Sequence, residues 1–164
     1  MEILQGQKIK EIIRRIAIQI AENNLDDKTV YLAGINNNGY NFAKKLADEI
    51  KQQDHITAEL LQVKLDPSNP LRGEIDMSIE AKQLKNKVVI LVDDVANTGR
   101  TIFYAFRPFM EVLPKKIEVV VLVNRKHKSF PIAVDYEGIS LATTMKDNIV
   151  VELKGVKASR VVLE

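Results

Sequence analysis

Two adjacent aspartates precede a short run of small and hydroxylated residues, and side chains of these types at this spacing can bind a polar ligand. The segment runs from Asp93 and Asp94 through Ala96 to Asn97-Thr98-Gly99-Arg100-Thr101. Carboxylates accept hydrogen bonds from vicinal hydroxyls, whereas backbone N–H groups and threonine hydroxyls donate to phosphate. Glycine lets the backbone approach an anion closely. The pattern predicts a sugar-phosphate site, with ribose hydroxyls on the aspartates and a 5-phosphate on residues 97–101.

The residues before this segment predict how it is positioned. Val88 to Val92 form an unbroken apolar run, which is typical of a parallel strand buried on both faces. Ligands of open α/β sheets bind beyond the carboxyl ends of such strands, where helix N-termini offer free N–H groups. Taken singly, the aspartates fit a loop start and Thr98 a helix cap. The combination favours a ligand site, although it matches neither a Walker A loop nor a dinucleotide-binding glycine pattern.

The rest of the chain alternates strand and helix patterns as far as residue 123. This alternation predicts an α/β fold with a doubly wound, mostly parallel sheet, in a single domain over residues 1–164, with a small C-terminal strand or hood region. The predicted helices cover residues 8–20, 42–50 and 99–113. The predicted strands cover residues 29–35, 56–65, 87–92, 117–123, 132–136, 149–153 and 160–163, with a polar turn at 36–39 and a loop at 66–80.

Composition excludes several classes of protein. The chain has 164 residues, 46% of them hydrophobic and 28% charged, with a net charge of +2, which is too small to indicate nucleic-acid binding by itself. The absence of cysteine excludes disulfides and thiolate metal sites. No apolar run is long enough to span a bilayer, and Met1 to Lys10 is polar, so we expect a cytoplasmic protein without a membrane partner.

Several segments together resemble one enzyme family. The segment Val88 to Thr101 is similar to the phosphoribosyl pyrophosphate signature of type I phosphoribosyltransferases. Val121 to Ile132 and Ala133 to Gly138 are similar to the PyrR branch, the family of pyrimidine-operon attenuators and uracil phosphoribosyltransferases. Leu32 to Ala43 occupies the place of the family's pyrophosphate loop.

The resemblance implies transfer of 5-phosphoribose from phosphoribosyl pyrophosphate to a nucleobase, with uracil favoured, and release of pyrophosphate. It also implies Mg²⁺ held mainly by the substrate, and a homodimer or higher oligomer. The implied catalytic residues are Asp93, Asp94 and Arg72. The implied ribose-phosphate contacts are Asp93, Asp94, Ala96, Asn97, Thr98, Gly99, Arg100 and Thr101; the pyrophosphate loop is Asn36, Asn37, Asn38 and Gly39; the base pocket is Tyr136, Glu137, Gly138 and Ile139.

Three departures from the family pattern predict low activity. Asparagines at 36–38 replace the usual cation of the pyrophosphate loop, the loop at 64–73 is short and keeps Arg72 as its cation, and Asn97 cannot protonate a base. The alternative is a nucleotide-sensing regulator that binds RNA through the basic run Arg125 to Lys128. A solvated loop is the preferred interpretation of that run, because so few charges attract RNA weakly. No cluster with the spacing of protein metal ligands is present.

Overall fold

Strands and helices alternate along the chain in the computed structural model, which describes residues 1–144 and 146–164. The strands are β1 (Glu2–Gln5), β2 (Thr29–Ile35), β3 (Thr57–Lys64), β4 (Asp76–Met77), β5 (Val88–Ala96), β6 (Lys116–Arg125), β7 (Tyr136–Leu141), β8 (Ile149–Glu152) and β9 (Arg160–Leu163). The α-helices are α1 (Gly6–Asn23), α2 (Asn36–Ile50) and α3 (Arg100–Ala105), and 3₁₀ helices cover Ala81–Leu84, Arg107–Glu111 and Val156–Ala158. Among the described helices, none is both long and apolar enough to cross a membrane.

The main sheet has the strand order β4-β3-β2-β5-β6-β7. All neighbouring pairs are parallel except β3 with β4. The predicted α/β fold with a mostly parallel sheet is therefore confirmed. The unbroken apolar run of β5 lies between β2 and β6, where both of its faces are covered, and this explains why its sequence does not alternate.

Two apolar layers fix the sheet. On one face α1 packs through isoleucines at helical spacing, including Ile9, Ile16 and Ile20, which are at most 1% exposed, and α2 packs beside it through Phe42 and Leu46. On the other face the cluster contains Ala33, Leu91, Ile102 and Phe109. Burying a side chain of this size contributes roughly 1.5–3 kcal/mol. The sheet is thus a rigid support whose carboxyl edge carries the polar loops.

The chain termini meet in a second sheet with the order β1-β9-β8, which is antiparallel throughout. The residue ranges of β8 and β9 agree closely with the strands predicted at 149–153 and 160–163. β1 was not predicted, because four residues carry no usable periodicity and the partner strand lies at the other end of the sequence.

Two predicted elements were wrong. The predicted strand at 132–136 is irregular, and the strand begins instead at Tyr136 and joins β6 in parallel at the sheet edge. The predicted helix at 99–113 breaks into α3 and the 3₁₀ helix Arg107–Glu111. Pro108 explains the break, because proline has no N–H to continue the α-helical hydrogen bonds.

Candidate functional site

The aspartate loop, residues Asp93 to Thr101, lies where β5 ends and α3 begins. β2 and β5 are parallel neighbours, so the loop that follows β2 opens at the same edge of the sheet. Parallel pairing thereby brings together two segments that lie more than fifty residues apart. The first is the aspartate loop, and the second is the asparagine turn, residues Asn36 to Gly39.

Asp93 is buried at the base of the site, with 9% of its surface exposed. Its Oδ1 accepts a hydrogen bond from the backbone N–H of Asp94 at 3.0 Å. Burial, followed by the negative charge of Asp94, raises the pKa of Asp93 well above its ordinary value. A carboxylate in this position is stabilised by donors or positive charge, which ribose hydroxyls or a cation supply.

Asp94 connects the two loops. Its Oδ1 accepts from the N–H of Val95 at 2.9 Å, and its Oδ2 accepts from Asn38 Nδ2 at 3.1 Å. Asn38 is therefore the residue of the asparagine turn that points toward the carboxylates. A ligand bound by both aspartates would lie beside Asn38.

Gly99 has a left-handed backbone, with φ at 86°, and precedes the first residue of α3. A Cβ added there would lie 2.7 Å from Ile132 Cγ1. The crossover after β6 is held over the loop, because Thr98 O accepts from the N–H groups of Ser129 at 3.0 Å and Phe130 at 3.2 Å. Glycine is thus required both by the backbone conformation and by the close approach of this crossover.

A pocket of about 550 Å³ opens over the aspartate loop. Its lining includes Asp93, Ala96, Asn97, Thr98, Gly99, Arg100 and Thr101, together with Pro67, Ser129 and Phe130 from the neighbouring loops. The guanidinium of Arg100 turns outward and donates to Pro67 O at 2.7 Å. Anion binding in this pocket therefore falls to backbone N–H groups and the threonine hydroxyls. All of the predicted ribose-phosphate residues except Asp94 line this one pocket.

A larger depression of about 1090 Å³ lies between the start of α1 and residues 152–160. Charges in its lining pair with one another, as Arg160 does with Glu152 at 3.0 Å and Lys8 with Glu11 at 3.7 Å. It contains neither a buried carboxylate nor a left-handed glycine among the described residues. We therefore take the smaller pocket as the candidate site.

The asparagine turn is the first turn of α2 rather than the separate turn that was predicted. Asn36 adopts a left-handed conformation, with φ at 53°, and its Oδ1 accepts from Leu65 N at 3.1 Å. Gln62 Nε2 donates to Asn36 O at 3.1 Å, and Asn37 Oδ1 lies 3.4 Å from the same nitrogen. A Cβ on Gly39 would lie 2.4 Å from Val92 O. Asn36, Asn37 and Gly39 thus fasten α2 to the sheet.

The predicted base-pocket residues do not share one surface. Tyr136 is 3% exposed and donates through its hydroxyl to Glu118 at 3.0 Å, and Ile139 packs on the core of the α1 face. Arg15 donates to the carbonyl oxygens of Gly138 at 2.8 Å and Glu137 at 3.3 Å. Arg15 of α1 thus already binds these two carbonyl oxygens, and a contact between this backbone and a base stays a prediction.

Glu137 instead belongs to a polar chain that the sequence did not predict. Asn124 Nδ2 donates to Glu137 Oε2 at 2.6 Å, and Lys128 Nζ donates to Asn124 Oδ1 at 2.8 Å and to Arg125 O. Burial lowers the pKa of Lys128, and the charge of Glu137 partly offsets this shift. In the sequence, Asn124 and Lys128 are only two polar residues near the end of a predicted strand. Pairing of β6 with β7 is what brings Glu137 to them.

Arg72 pairs with its own loop rather than with the aspartate loop. Its side chain is 79% exposed, and its guanidinium lies 3.8 Å from Asp66. Within residues 1–144 and 146–164 it forms no hydrogen bond to the aspartate loop or the asparagine turn. Its catalytic role therefore stays a prediction that requires movement of the loop at 66–73.

Comparisons with known proteins identify the family of the chain. Residues 1–156 match the family model described as phosphoribosyl transferase domain. The chain is 36% identical over 166 residues to the bifunctional protein PyrR of Bacillus pumilus, covering 94% of this chain and 91% of that one. It is 33% identical over 159 residues to the bifunctional protein PyrR of Enterococcus faecalis, covering 93% and 89%.

The fold is also similar to a crystal structure of the hypoxanthine phosphoribosyltransferase of Trypanosoma cruzi. The TM-score is 0.80 and the sequence identity 14%, with 99% of this chain and 94% of that chain covered. Identity at this level shows the shared fold alone, while the family model and the PyrR relatives carry the assignment. The chain belongs to the phosphoribosyl transferase domain family.

Proposed function

We propose that the protein transfers 5-phosphoribose from phosphoribosyl pyrophosphate to uracil, giving the nucleotide and pyrophosphate. The single observation that carries this proposal is the pocket over the aspartate loop. In one short segment it combines the buried carboxylate of Asp93, which is followed in the chain by Asp94, with the backbone donors of residues 98–101. Ribose hydroxyls match the first group and a 5-phosphate matches the second.

The phosphate contacts depend on individual N–H groups more than on a helix dipole. α3 has six residues, so few aligned peptide units contribute to a dipole at its start. The left-handed backbone of Gly99 lets the loop turn into α3, and Thr98 and Thr101 provide hydroxyl donors. We therefore propose that the phosphate binds at the loop and the ribose next to Asp93.

In the reaction the bond from ribose C1 to the pyrophosphate oxygen breaks and a bond from C1 to uracil N1 forms. The base gives its N1 proton to solvent, and the pyrophosphate leaves with the bonding electrons. Positive charge develops on the ribose ring, and the neighbouring carboxylates of Asp93 and Asp94 stabilise it electrostatically. Holding ribose and base in line supplies much of the remaining acceleration.

The donor set fits a Mg²⁺ ion that the substrate itself carries. Adjacent carboxylates provide the hard oxygen ligands that Mg²⁺ prefers. No group of three or more metal-binding side chains occurs in the described part of the chain. A bound Mg²⁺ would neutralise charge on the departing pyrophosphate, with Asp93 and Asp94 next to it.

Uracil is supported by the PyrR relatives and by Asn97. An asparagine lines the pocket where an acid would be needed to protonate a purine ring nitrogen. We also propose that the protein acts as a homodimer or larger oligomer in the cytoplasm. Met110, in the 3₁₀ helix after α3, is 72% exposed, and sedimentation velocity would test the oligomer.

A second candidate is a nucleotide-sensing regulator with slow turnover. It is favoured by the asparagine turn, where two of the three amides are bound within the fold and the third donates to Asp94. The basic run does not strengthen an RNA contact, since Arg125 is 6% exposed and Lys128 is paired internally. A retained nucleotide pocket combined with a weak pyrophosphate site suits a sensor.

One assay separates the candidates. The protein would be mixed with phosphoribosyl pyrophosphate, Mg²⁺ and each of uracil, cytosine, hypoxanthine and guanine, and pyrophosphate release would be followed. We expect uracil-dependent release that Gly99→Val abolishes. Tight binding of UMP with no release from any base would favour the sensor, and binding of neither UMP nor phosphoribosyl pyrophosphate would contradict both candidates.

A further inference from the structure

Arg125 lies at the end of β6 with only 6% of its surface exposed. Its Nη1 donates to Asn97 Oδ1 at 3.0 Å, its Nε to Thr143 Oγ1 at 2.7 Å, and its Nη2 to Thr144 O at 2.6 Å. It thus ties the aspartate loop to the segment after β7.

The environment of this arginine is unusual for a residue that serves stability alone. In the described part of the chain no carboxylate lies within ion-pair distance of its guanidinium, and its three acceptors are neutral. Burying a charge without a counter-ion costs free energy that an apolar residue would avoid. The nearest compensation is indirect, through Asp147, which accepts from the N–H and hydroxyl of Thr144 at 2.8 Å.

The contact decides which end of the Asn97 amide faces the pocket. A guanidinium carries donors and no acceptors, so the end of the amide that meets Arg125 must be the carbonyl oxygen. The NH₂ group is therefore the end left for a ligand, and no acceptor among residues 1–144 and 146–164 pairs with it. Asn97 is exposed and lines the pocket beside Gly99.

We infer that Arg125 is a positioning residue that holds Asn97 as a hydrogen-bond donor and thereby selects a base with a carbonyl oxygen at the edge facing the aspartate loop. This inference rests on the proposed function, because it concerns the base bound at the same pocket. An amide free to rotate would present its carbonyl half of the time and lose this preference.

The test measures the affinities of UMP and ribose 5-phosphate by calorimetry. The ratio of the UMP affinity to the ribose 5-phosphate affinity isolates the contribution of the base. Asn97→Asp can keep an oxygen on Arg125 but removes the donor, so we expect the ratio to fall about tenfold, the effect of losing one good hydrogen bond. Arg125→Met should lower the ratio less, by about twofold, because an amide free to rotate still presents its donor about half of the time. Arg125→Lys should restore part of it, since lysine still donates to Asn97.

A double-mutant cycle separates positioning from general support of the fold. If Arg125 acts through Asn97, adding Arg125→Met to Asn97→Asp should leave the ratio unchanged. Arg160→Met is the matched control, because Arg160 also binds oxygen atoms, those of Glu152, but on the surface. The affinity ratio of this variant should equal that of the wild type. Thermal melts of each variant would verify folding, and Arg125→Lys with Asn97→Asp suffices if Arg125→Met does not fold.

Three outcomes would overturn the inference. They are an unchanged ratio in Asn97→Asp, equal losses of UMP and ribose 5-phosphate affinity in Arg125→Met, and additive effects in the double variant. If the wild type binds ribose 5-phosphate but the ratio does not respond, only the inference fails. If the wild type binds neither ligand, the proposed function fails with it.

Discussion

The aspartate loop and the asparagine turn occupy equivalent places at the carboxyl edge of the sheet but use their polar groups differently. Both follow a buried parallel strand, and both contain a glycine that allows close backbone contact. In the aspartate loop the polar groups line a pocket of about 550 Å³. In the asparagine turn two of the three side chains hold α2 against β3 and the loop after it. The sheet topology would allow a ligand-binding loop at both places. The side chains decide which of the two loops leaves its polar groups free for a ligand.

Among substitutions in the two loops, Gly99→Val should have the largest effect on ligand affinity. A branched side chain is strained at a φ of 86° and would collide with Ile132, so the loop and the crossover above it must separate. We expect the affinity for ribose 5-phosphate to fall on the order of a hundredfold or more. Calorimetry would measure this, with unchanged affinity contradicting the assignment of the loop.

Gly73→Val is the matched control for that variant. Gly73 also has a left-handed backbone, with φ at 72°, but nothing lies within 4 Å of an added Cβ. Both variants therefore carry the backbone strain, and only Gly99→Val carries the collision. Similar affinity losses in the two variants would show that strain, rather than space at the pocket, governs binding.

Asp93→Asn should weaken phosphoribosyl pyrophosphate binding by about tenfold to a hundredfold, because charged hydrogen bonds to ribose hydroxyls are lost. Binding of inorganic phosphate should change less. Asp94→Asn should show the same selectivity, since Asp94 belongs to the same carboxylate pair. Equal weakening of both ligands would argue against a ribose contact.

The same Asp93→Asn variant should be more stable than the wild type at neutral pH. The pKa of Asp93 is raised in the folded state, so the folded protein binds more protons than the unfolded chain between pH 3.8 and that raised value. Stability contributed by this group is present below that window and is lost as the pH rises through it. We expect a gain of about 1 kcal/mol or more at pH 7, measured by urea unfolding, and a smaller gain near pH 4. Lower stability of the variant at pH 7 would contradict this.

Asn38→Arg should make the asparagine turn resemble a charged pyrophosphate site. Asn38 already points to Asp94, so an arginine there would add positive charge next to the departing pyrophosphate. We expect uracil-dependent turnover to rise about tenfold, since charged contacts are the stronger ones. Asn37→Arg, beside Gln62, is the comparison and should raise turnover less. No increase in either variant would favour the sensor over the enzyme.

Asn36→Ala should have the smallest effect on ligands and act on stability instead. Alanine leaves Leu65 N without its acceptor and is strained at a φ of 53°. We expect a loss of about 1–2 kcal/mol in unfolding free energy, with ribose 5-phosphate affinity unchanged. A large loss of affinity would show that this asparagine contacts the ligand after all.

The sequence predicted those parts of the molecule whose causes are local. Isoleucines at helical spacing indicated α1, the apolar run of β5 indicated a central strand, and the aspartate loop carried its own donors and acceptors within nine residues. Periodicity and short-range chemistry are properties of neighbouring residues, so they can be read before the fold is known.

Long-range pairing was decided only by the tertiary structure. β1 exists because β9 pairs with it from the other end of the chain, and Glu137 meets Asn124 because β7 lies beside β6. Arg125 sits within a basic run that indicated a solvated loop, yet folding buries it against Asn97 and Thr143. Whether a polar side chain contacts water, the scaffold or a ligand depends on which distant segments pack against it, and no local pattern contains that information.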